Sequence, residues 1–287
     1  MHRCFSDPEN WKGELVELSA GESDHLLRVL RARAGETVEI FDGRGRVAAA
    51  KLVCGREGYA RLETIPGSSR LVPPEAISLV LVQAVPKQAA MEEIIQKAVE
   101  LGASKIVPVT TERTVVKFRG HARPGAKTEP DRCCLPADNH MERWRKIALA
   151  AAKQCQAAWL TEISPVASLQ EAARSAREDL KIFGSLDPDA RSLKNILTPL
   201  PAAKSIALAV GPEGDFTESE RQLLAAEGFI PAGFGARVLR VATAAVFGLS
   251  VLKHEFRSYN DCDSRLDPAF AAKGFATDFG ELSRVAE

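Results

Sequence analysis

The chain has no excess of charge of either sign: 38 Lys and Arg balance 38 Asp and Glu, for a formal net charge of zero at pH 7. That excludes a global electrostatic attraction to nucleic acid or an anionic membrane, though not local patches. Long apolar runs are also missing. Ile206–Val210 is typical of what there is, whereas a bilayer span needs about 20 apolar residues. The start, MHRCFSDPEN, contains no apolar h-region and reads as mature sequence, so the cytoplasm is the expected location. Cysteine is scarce, with six residues and no C-x-x-C, which argues against a disulfide framework or a regular zinc module. The pair Cys133–Cys134, near His121 and His140, matches no usual metal spacing, so no metal is expected there. Neither G-x-x-x-x-G-K-[ST] nor G-x-G-x-x-G occurs, and there is no acidic metal cluster. A nucleotide-phosphate hydrolase is therefore excluded.

What remains is an ordinary globular composition of 287 residues, 45% hydrophobic and 26% charged, long enough for two domains. Residues 1–74 read as a small β domain. Strands are expected at Glu14–Leu18, Thr37–Phe41, Val47–Val53 and Ala60–Ile65, with an Asp42-Gly43 turn between the second and third. Ser23–Arg33 reads as a helical turn or two. Pro66–Pro74, PGSSRLVPP, has linker composition, so a domain boundary is expected at 74. From 75 to 256 strands and helices alternate, which predicts an α/β domain with a mainly parallel sheet. Its strands are Ile77–Ala84, Ile106–Val109, Lys181–Phe183, Ser205–Val210 and Ile230–Phe234. Its helices are Gln88–Leu101, Met141–Ala158, Leu169–Ala176, Thr217–Glu227 and Thr243–Phe256. Thr217 with Glu220 forms a capping box, and Gly228 closes the same helix. Residues 113–132 carry a local excess of four positive charges and read as a loop. Residues 257–287 form a tail without clear periodicity.

Two loops stand out, GPEGDF at Gly211–Phe216 and GARVLRVATAA at Gly235–Ala245. Each follows a short apolar strand and precedes a helix, where free backbone N–H groups can meet a ligand. Gly211 and Gly214 allow close approach of that ligand to the main chain. Taken alone, the first loop reads more readily as a tight strand-to-helix connection. The second adds Arg237 and Arg240, either of which can hold an anionic group.

These residues resemble the knotted methyltransferase superfamily called SPOUT. More narrowly, they resemble the bacterial enzymes that methylate N3 of a uridine in 16S ribosomal RNA. The likeness runs in order through Arg3, His25, Val29-Leu30-Arg31 and Asp42-Gly43, then Gln83-Ala84, Lys87, Ile94–Gly102, Ile106 and Pro108. It continues through Glu112-Arg113-Thr114 to the two loops, covering about residues 1–256. It implies an N-terminal PUA-like β-barrel and a C-terminal α/β domain with a deep trefoil knot. It also implies a homodimer that uses S-adenosylmethionine on 16S ribosomal RNA of the small subunit.

The resemblance places the methyl donor among three loops, gripped largely by main-chain groups. One is Gly184, Ser185 and Leu186. The second is Val210, Gly211, Pro212, Glu213 and Gly214. The third is Phe234, Gly235, Val238, Leu239 and Arg240, with Thr243 and Ala244 on the helix behind it. Arg240 is the expected catalytic residue, a cation that favours the deprotonated base. The RNA is expected to be gripped by Arg3, His25, Arg28 and Arg31 on the small domain and by Lys87 and Arg113 on the large one. Each of these six reads as readily as an ordinary surface charge or, for His25, a structural histidine.

Three departures from the family pattern involve four positions. Val241 and Ala242 replace a hydroxyl and a carboxylate, Asp215 replaces a glycine, and Ala157 stands where an arginine is usual. The alternative left open is a weak or inactive relative that binds structured ribosomal RNA as an assembly factor.

Overall fold

Residues 1–71 build one seven-stranded sheet whose strands come from short segments of alternating hydrophobicity. Its principal strands are β1 (Arg3–Phe5), β2 (Leu15–Glu17), β3 (Thr37–Phe41), β4 (Arg46–Arg56) and β5 (Tyr59–Thr64). The order across the sheet is β1-β3-β4-β5-β2, ending on the short strand Trp11–Lys12, and only the β1–β3 pairing is parallel. The computed structural model describes residues 1–56, 59–114, 117–118, 134–135, 137–198 and 202–256.

Inward positions from both ends of this order meet in one core, including Cys4, Trp11, Val16, Ile40, Leu52 and Leu62. The sheet therefore curls round on itself. Ser6 stitches its two ends together: its hydroxyl donates to the Glu17 carbonyl at 3.2 Å, and Trp11 Nε1 donates to the Ser6 carbonyl at 3.2 Å. Burial pushes the Cys4 thiol up to about 12, with the nearby Glu22 carboxylate adding to the rise. A folded value above the unfolded one favours the native state below the unfolded pKa. That contribution is lost as pH rises from about 9 towards the folded value. In the native protein at pH 8.5, iodoacetamide should therefore alkylate half-buried Cys155 well before Cys4. Peptide mass spectrometry against time checks this order.

A helix over Ala20–Asp24 (α1), N-capped by the Ser19 hydroxyl, runs on into a wider π-type turn at His25–Val29. The hairpin at Asp42 is closed by its own carboxylate, which accepts from the Arg44 and Arg46 amides at 2.7 and 3.0 Å. Gly45 is required there. Its φ is +97°, and an added Cβ would lie 2.6 Å from the Val72 carbonyl oxygen. Pro66–Pro74, expected as a free linker, is instead tied down. Arg70–Leu71 pairs with β4, and the Val72 amide donates to the Gly45 carbonyl at 2.8 Å.

The second sheet has eight strands, and every pairing in it is parallel. Its main strands are β6 (Ser78–Ala84), β7 (Lys105–Thr110), β8 (Leu180–Gly184), β9 (Ser205–Val210) and β10 (Ile230–Gly233), in the order β7-β6-β9-β8-β10. The central strands are nearly continuous apolar runs, as burial on both faces demands. Helices α2 (Gln88–Glu100), α3 (Ala137–Gln154), α4 (Leu169–Ser175), α5 (Leu193–Leu197), α6 (Glu218–Ala226) and α7 (Val241–Glu255) complete the unit.

Helix α3 departs from the expected Met141–Ala158. It begins at Ala137 and stops at Gln154 because Gln156 turns into the left-handed region at φ +61°. Apolar periodicity runs on through Ala157 and Ala158, which hid that stop. Most of the basic segment 113–132, His121, Cys133 and the tail 257–287 lie outside the described residues. Among the described residues no helix is long and apolar enough to cross a membrane.

Candidate functional site

Because every strand of the large sheet points the same way, the loops after β6, β9, β8 and β10 leave one edge side by side. Ligands of open parallel sheets sit at that carboxyl edge. Here the four loops enclose a cavity of about 1100 Å³.

The β8 loop contributes Gly184, Ser185 and Leu186. Ser185 is buried: its amide donates to the Ala232 carbonyl at 2.9 Å, and its hydroxyl accepts from the Asp187 amide at 3.1 Å. The β9 loop contributes Val210, Gly211, Pro212 and Glu213. It turns tightly, the Asp215 amide donating to the Pro212 carbonyl at 3.0 Å. Asp215 occupies the left-handed region at φ +59°. Its carboxylate accepts from the Phe216 amide at 2.8 Å, which helps hold a conformation that glycine adopts freely. The capping box of α6 follows as read from the sequence, Thr217 Oγ1 and the Glu220 carboxylate each receiving the other residue's amide.

The β10 loop contributes Phe234, Gly235, Val238, Leu239 and Arg240, and Ala244 lies behind it. The Phe234 ring lies against Gly184, where a Cβ would come within 3.1 Å of it. Among the described residues, the amides of Ala236, Arg237, Val238 and Leu239 donate to no acceptor in the chain. That is a row of main-chain donors on the cavity wall. The Arg240 carbonyl accepts from the Ala244 amide at 2.8 Å, so Arg240 sits at the start of α7. Arg237 and Arg240 are both exposed, and neither side chain has a partner among the described residues.

Thirteen of the fifteen residues expected around the donor line this one cavity; Gly214 and Thr243 do not. Lys87, expected to grip RNA, opens α2 at the cavity rim, and its amide donates to Glu213 Oε1 at 3.2 Å. Val241 and Ala242, noted above as departures, also line the space, as do Ala90, Glu93, Asp187 and Ser192, which were not expected there. Only Asp187 had a local signal, in the turn-forming Asp187-Pro188. Among the described residues no histidine or cysteine lines the cavity, so those residues offer it neither an imidazole base nor a thiol nucleophile. Its means are main-chain donors, shape, two unpaired guanidinium groups and the polar side chains of Lys87, Glu93, Asp187, Glu213 and Asp215 on its wall.

The expected RNA contacts divide. Arg28 and Arg31 are exposed, Arg28 pairing with Asp24 at 3.0 Å, and His25 is half-buried. Arg3 requires correction. Its side chain is only 8% exposed: Nε faces Glu39 at 2.8 Å, NH1 donates to the Ala152 carbonyl at 3.0 Å, and the guanidinium covers the Phe41 ring. It cements the small sheet to α3 and presents nothing to a phosphate. Arg113 donates to the Gly214 carbonyl.

Residues 73–253 match the RNA methyltransferase domain family, and residues 18–53 match the RNA methyltransferase PUA domain. The chain is 32% identical over 252 residues to a ribosomal RNA small subunit methyltransferase E of Synechocystis, covering 87% of this chain and 76% of the relative. The chain belongs to the small-subunit ribosomal RNA methyltransferase E family. Two solved structures resemble it closely in fold. A family member from Neisseria gonorrhoeae, bound to S-adenosyl methionine, has a TM-score of 0.73 and 27% identity, covering 88% of this chain and 97% of that one. A methyltransferase from Legionella pneumophila, solved with the bound cofactor SAM, has a TM-score of 0.74 and 29% identity, covering 88% and 96%. Membership explains why the site has glycines and main-chain amides where a hydrolase would have a catalytic dyad.

Proposed function

We propose that this chain transfers the methyl group of S-adenosylmethionine to N3 of a uridine in 16S ribosomal RNA of the small subunit. The observation that carries the reading is the convergence of the β8, β9 and β10 loops on one cavity, with the free amides of 236–239 and an unpaired Arg240 on its wall. The donor-bound relatives support it.

The residues present suit such a donor. The cavity is roomy, its walls are apolar at Leu186, Val210, Phe234 and Leu239, and it offers amide hydrogens for the polar groups. When bound, S-adenosylmethionine supplies an electrophilic methyl group on a sulfonium. The chain must then align the incoming base in line with that methyl group, which is a matter of positioning. With the donor bound, the chain would hold the uridine N3, its proton passed to solvent, facing the methyl group, and the products would be N3-methyluridine and S-adenosylhomocysteine. Arg240 stabilises the negative charge that the base's carbonyl oxygens carry once the proton is lost.

In the same reading residues 1–74 grip RNA through Arg28 and Arg31, and residues 75–256 hold the donor. The C-terminal strands and α7 thread a trefoil knot, a reading supported by the strand order, in which the late strand β9 lies between β6 and β8. The protein works as a homodimer in the cytoplasm. Asp215 fits its loop without breaking the turn, which favours the enzyme over an inactive RNA-binding relative.

Mass spectrometry of 16S ribosomal RNA from cells lacking the protein should show one N3-methyluridine lost, and calorimetry should show the purified protein binding S-adenosylmethionine. A modification that persists, together with absent donor binding, would overturn the proposal.

A further inference from the structure

Gly214 is the one residue of the Gly211–Asp215 loop that does not line the cavity. Its carbonyl points away, to the guanidinium of Arg113. The Arg113 side chain lies flat across Gly214, so a Cβ there would come within 3.0 Å of Arg113 Cδ. This placement is prepared locally. The turn after β7 is locked by the Thr114 hydroxyl, which accepts from the Thr111 amide at 2.9 Å and shares a hydrogen with the Thr111 hydroxyl at 2.8 Å. The next amide, Glu112, donates to Glu220 Oε1 at 2.7 Å, and Glu220 Oε2 accepts from the Thr217 amide at 2.9 Å. Buried Glu220 thus ties the 111–114 turn to the start of α6. On the cavity side, Glu213 is held by the Lys87 amide. The loop is gripped on both faces.

We infer that Arg113 is a positioning residue for the methyl donor and does not contact RNA. A charged donor on the Gly214 carbonyl fixes the plane of the Gly214–Asp215 peptide. That plane sets the left-handed turn at Asp215 and, through it, the cavity face of Gly211–Glu213. This deepens the proposed function and rests on it where donor binding is concerned.

The test compares the full-length wild type with Arg113→Ala and Arg113→Lys by three measurements. These are amide hydrogen exchange over 211–216, calorimetric binding of S-adenosylmethionine, and binding of a 16S ribosomal RNA fragment against salt. In Arg113→Ala, exchange at 213–216 should rise about tenfold, the consequence of losing one charge-assisted hydrogen bond. The donor Kd should rise about tenfold for the same reason. Arg113→Lys should recover part of both, and RNA affinity should not change. Unchanged loop exchange overturns the inference. So does weaker RNA binding with a salt slope reduced by about one, the mark of a lost phosphate contact. Loop exchange is read without any ligand, so it decides the role of Arg113 by itself. Failure of the wild type to bind the donor would count against the proposed function alone.

Discussion

Replacing Arg240 with alanine should slow methyl transfer by about 10²- to 10³-fold, the usual effect of removing one preorganised group facing developing negative charge. The fold should not notice. Arg240 is exposed, its side chain has no partner among the described residues, and the only bond it gives α7 is through its carbonyl, which alanine keeps. Stability should therefore stay within about 0.5 kcal/mol of wild type. Lysine at this position keeps the charge but not the planar fork, so Arg240→Lys should recover only part of the rate. Single-turnover transfer with both substrates saturating is the measurement, because it separates the chemical step from binding. Arg237 is the natural control, since it lines the same cavity and is equally unpaired. A rate in Arg240→Ala equal to wild type, or a larger loss in Arg237→Ala, would move the role to another residue.

The contrast between Arg240 and Arg3 shows what a sequence reveals and what it conceals. Thr37–Phe41 and Ser205–Val210 occupy the strands expected of them, because alternation or a short apolar run is a local signal. The α6 capping box was legible for the same reason, its two partners being three residues apart. Arg3 was misread because its fate depends on Ala152, 149 residues away, across a joint that no periodicity announces. Arg113 and Gly214, separated by 101 residues, are another such pair. The stop of α3 was missed since a glutamine, not a glycine, takes the left-handed position. Convergence of the loops was legible in part. Alternating strands and helices imply a parallel sheet, and a parallel sheet puts its loops on one edge. Which strands are neighbours, and hence which loops share a cavity, came from resemblance and not from pattern.

The joint that hid Arg3 also contains a buried ion pair, and breaking it should give the largest loss of stability. Lys153 on α3 donates to both carboxylate oxygens of Glu22 on α1, at 2.8 and 3.1 Å, and the Phe5 amide donates to the same carboxylate at 3.0 Å. The side chains are 16% and 10% exposed, so water screens them little. Lys153→Met would leave the Glu22 carboxylate with only an amide partner, and Glu22→Gln would leave an ammonium buried beside a neutral amide. Each should cost about 3 kcal/mol, a fall in Tm on the order of 5–10 °C for a unit of this size. The double variant removes both charges together and should lose about 1–3 kcal/mol less than the sum of the two. Function should follow geometry. Arg28 and Arg31 lie just beyond the helix that carries Glu22. Below the melting transition the single variants should therefore bind 16S ribosomal RNA more weakly while binding S-adenosylmethionine as wild type does. Additive losses would show that the two charges do not support each other. Unchanged RNA affinity would show that the joint stabilises the fold without setting the proposed RNA-gripping positions of Arg28 and Arg31.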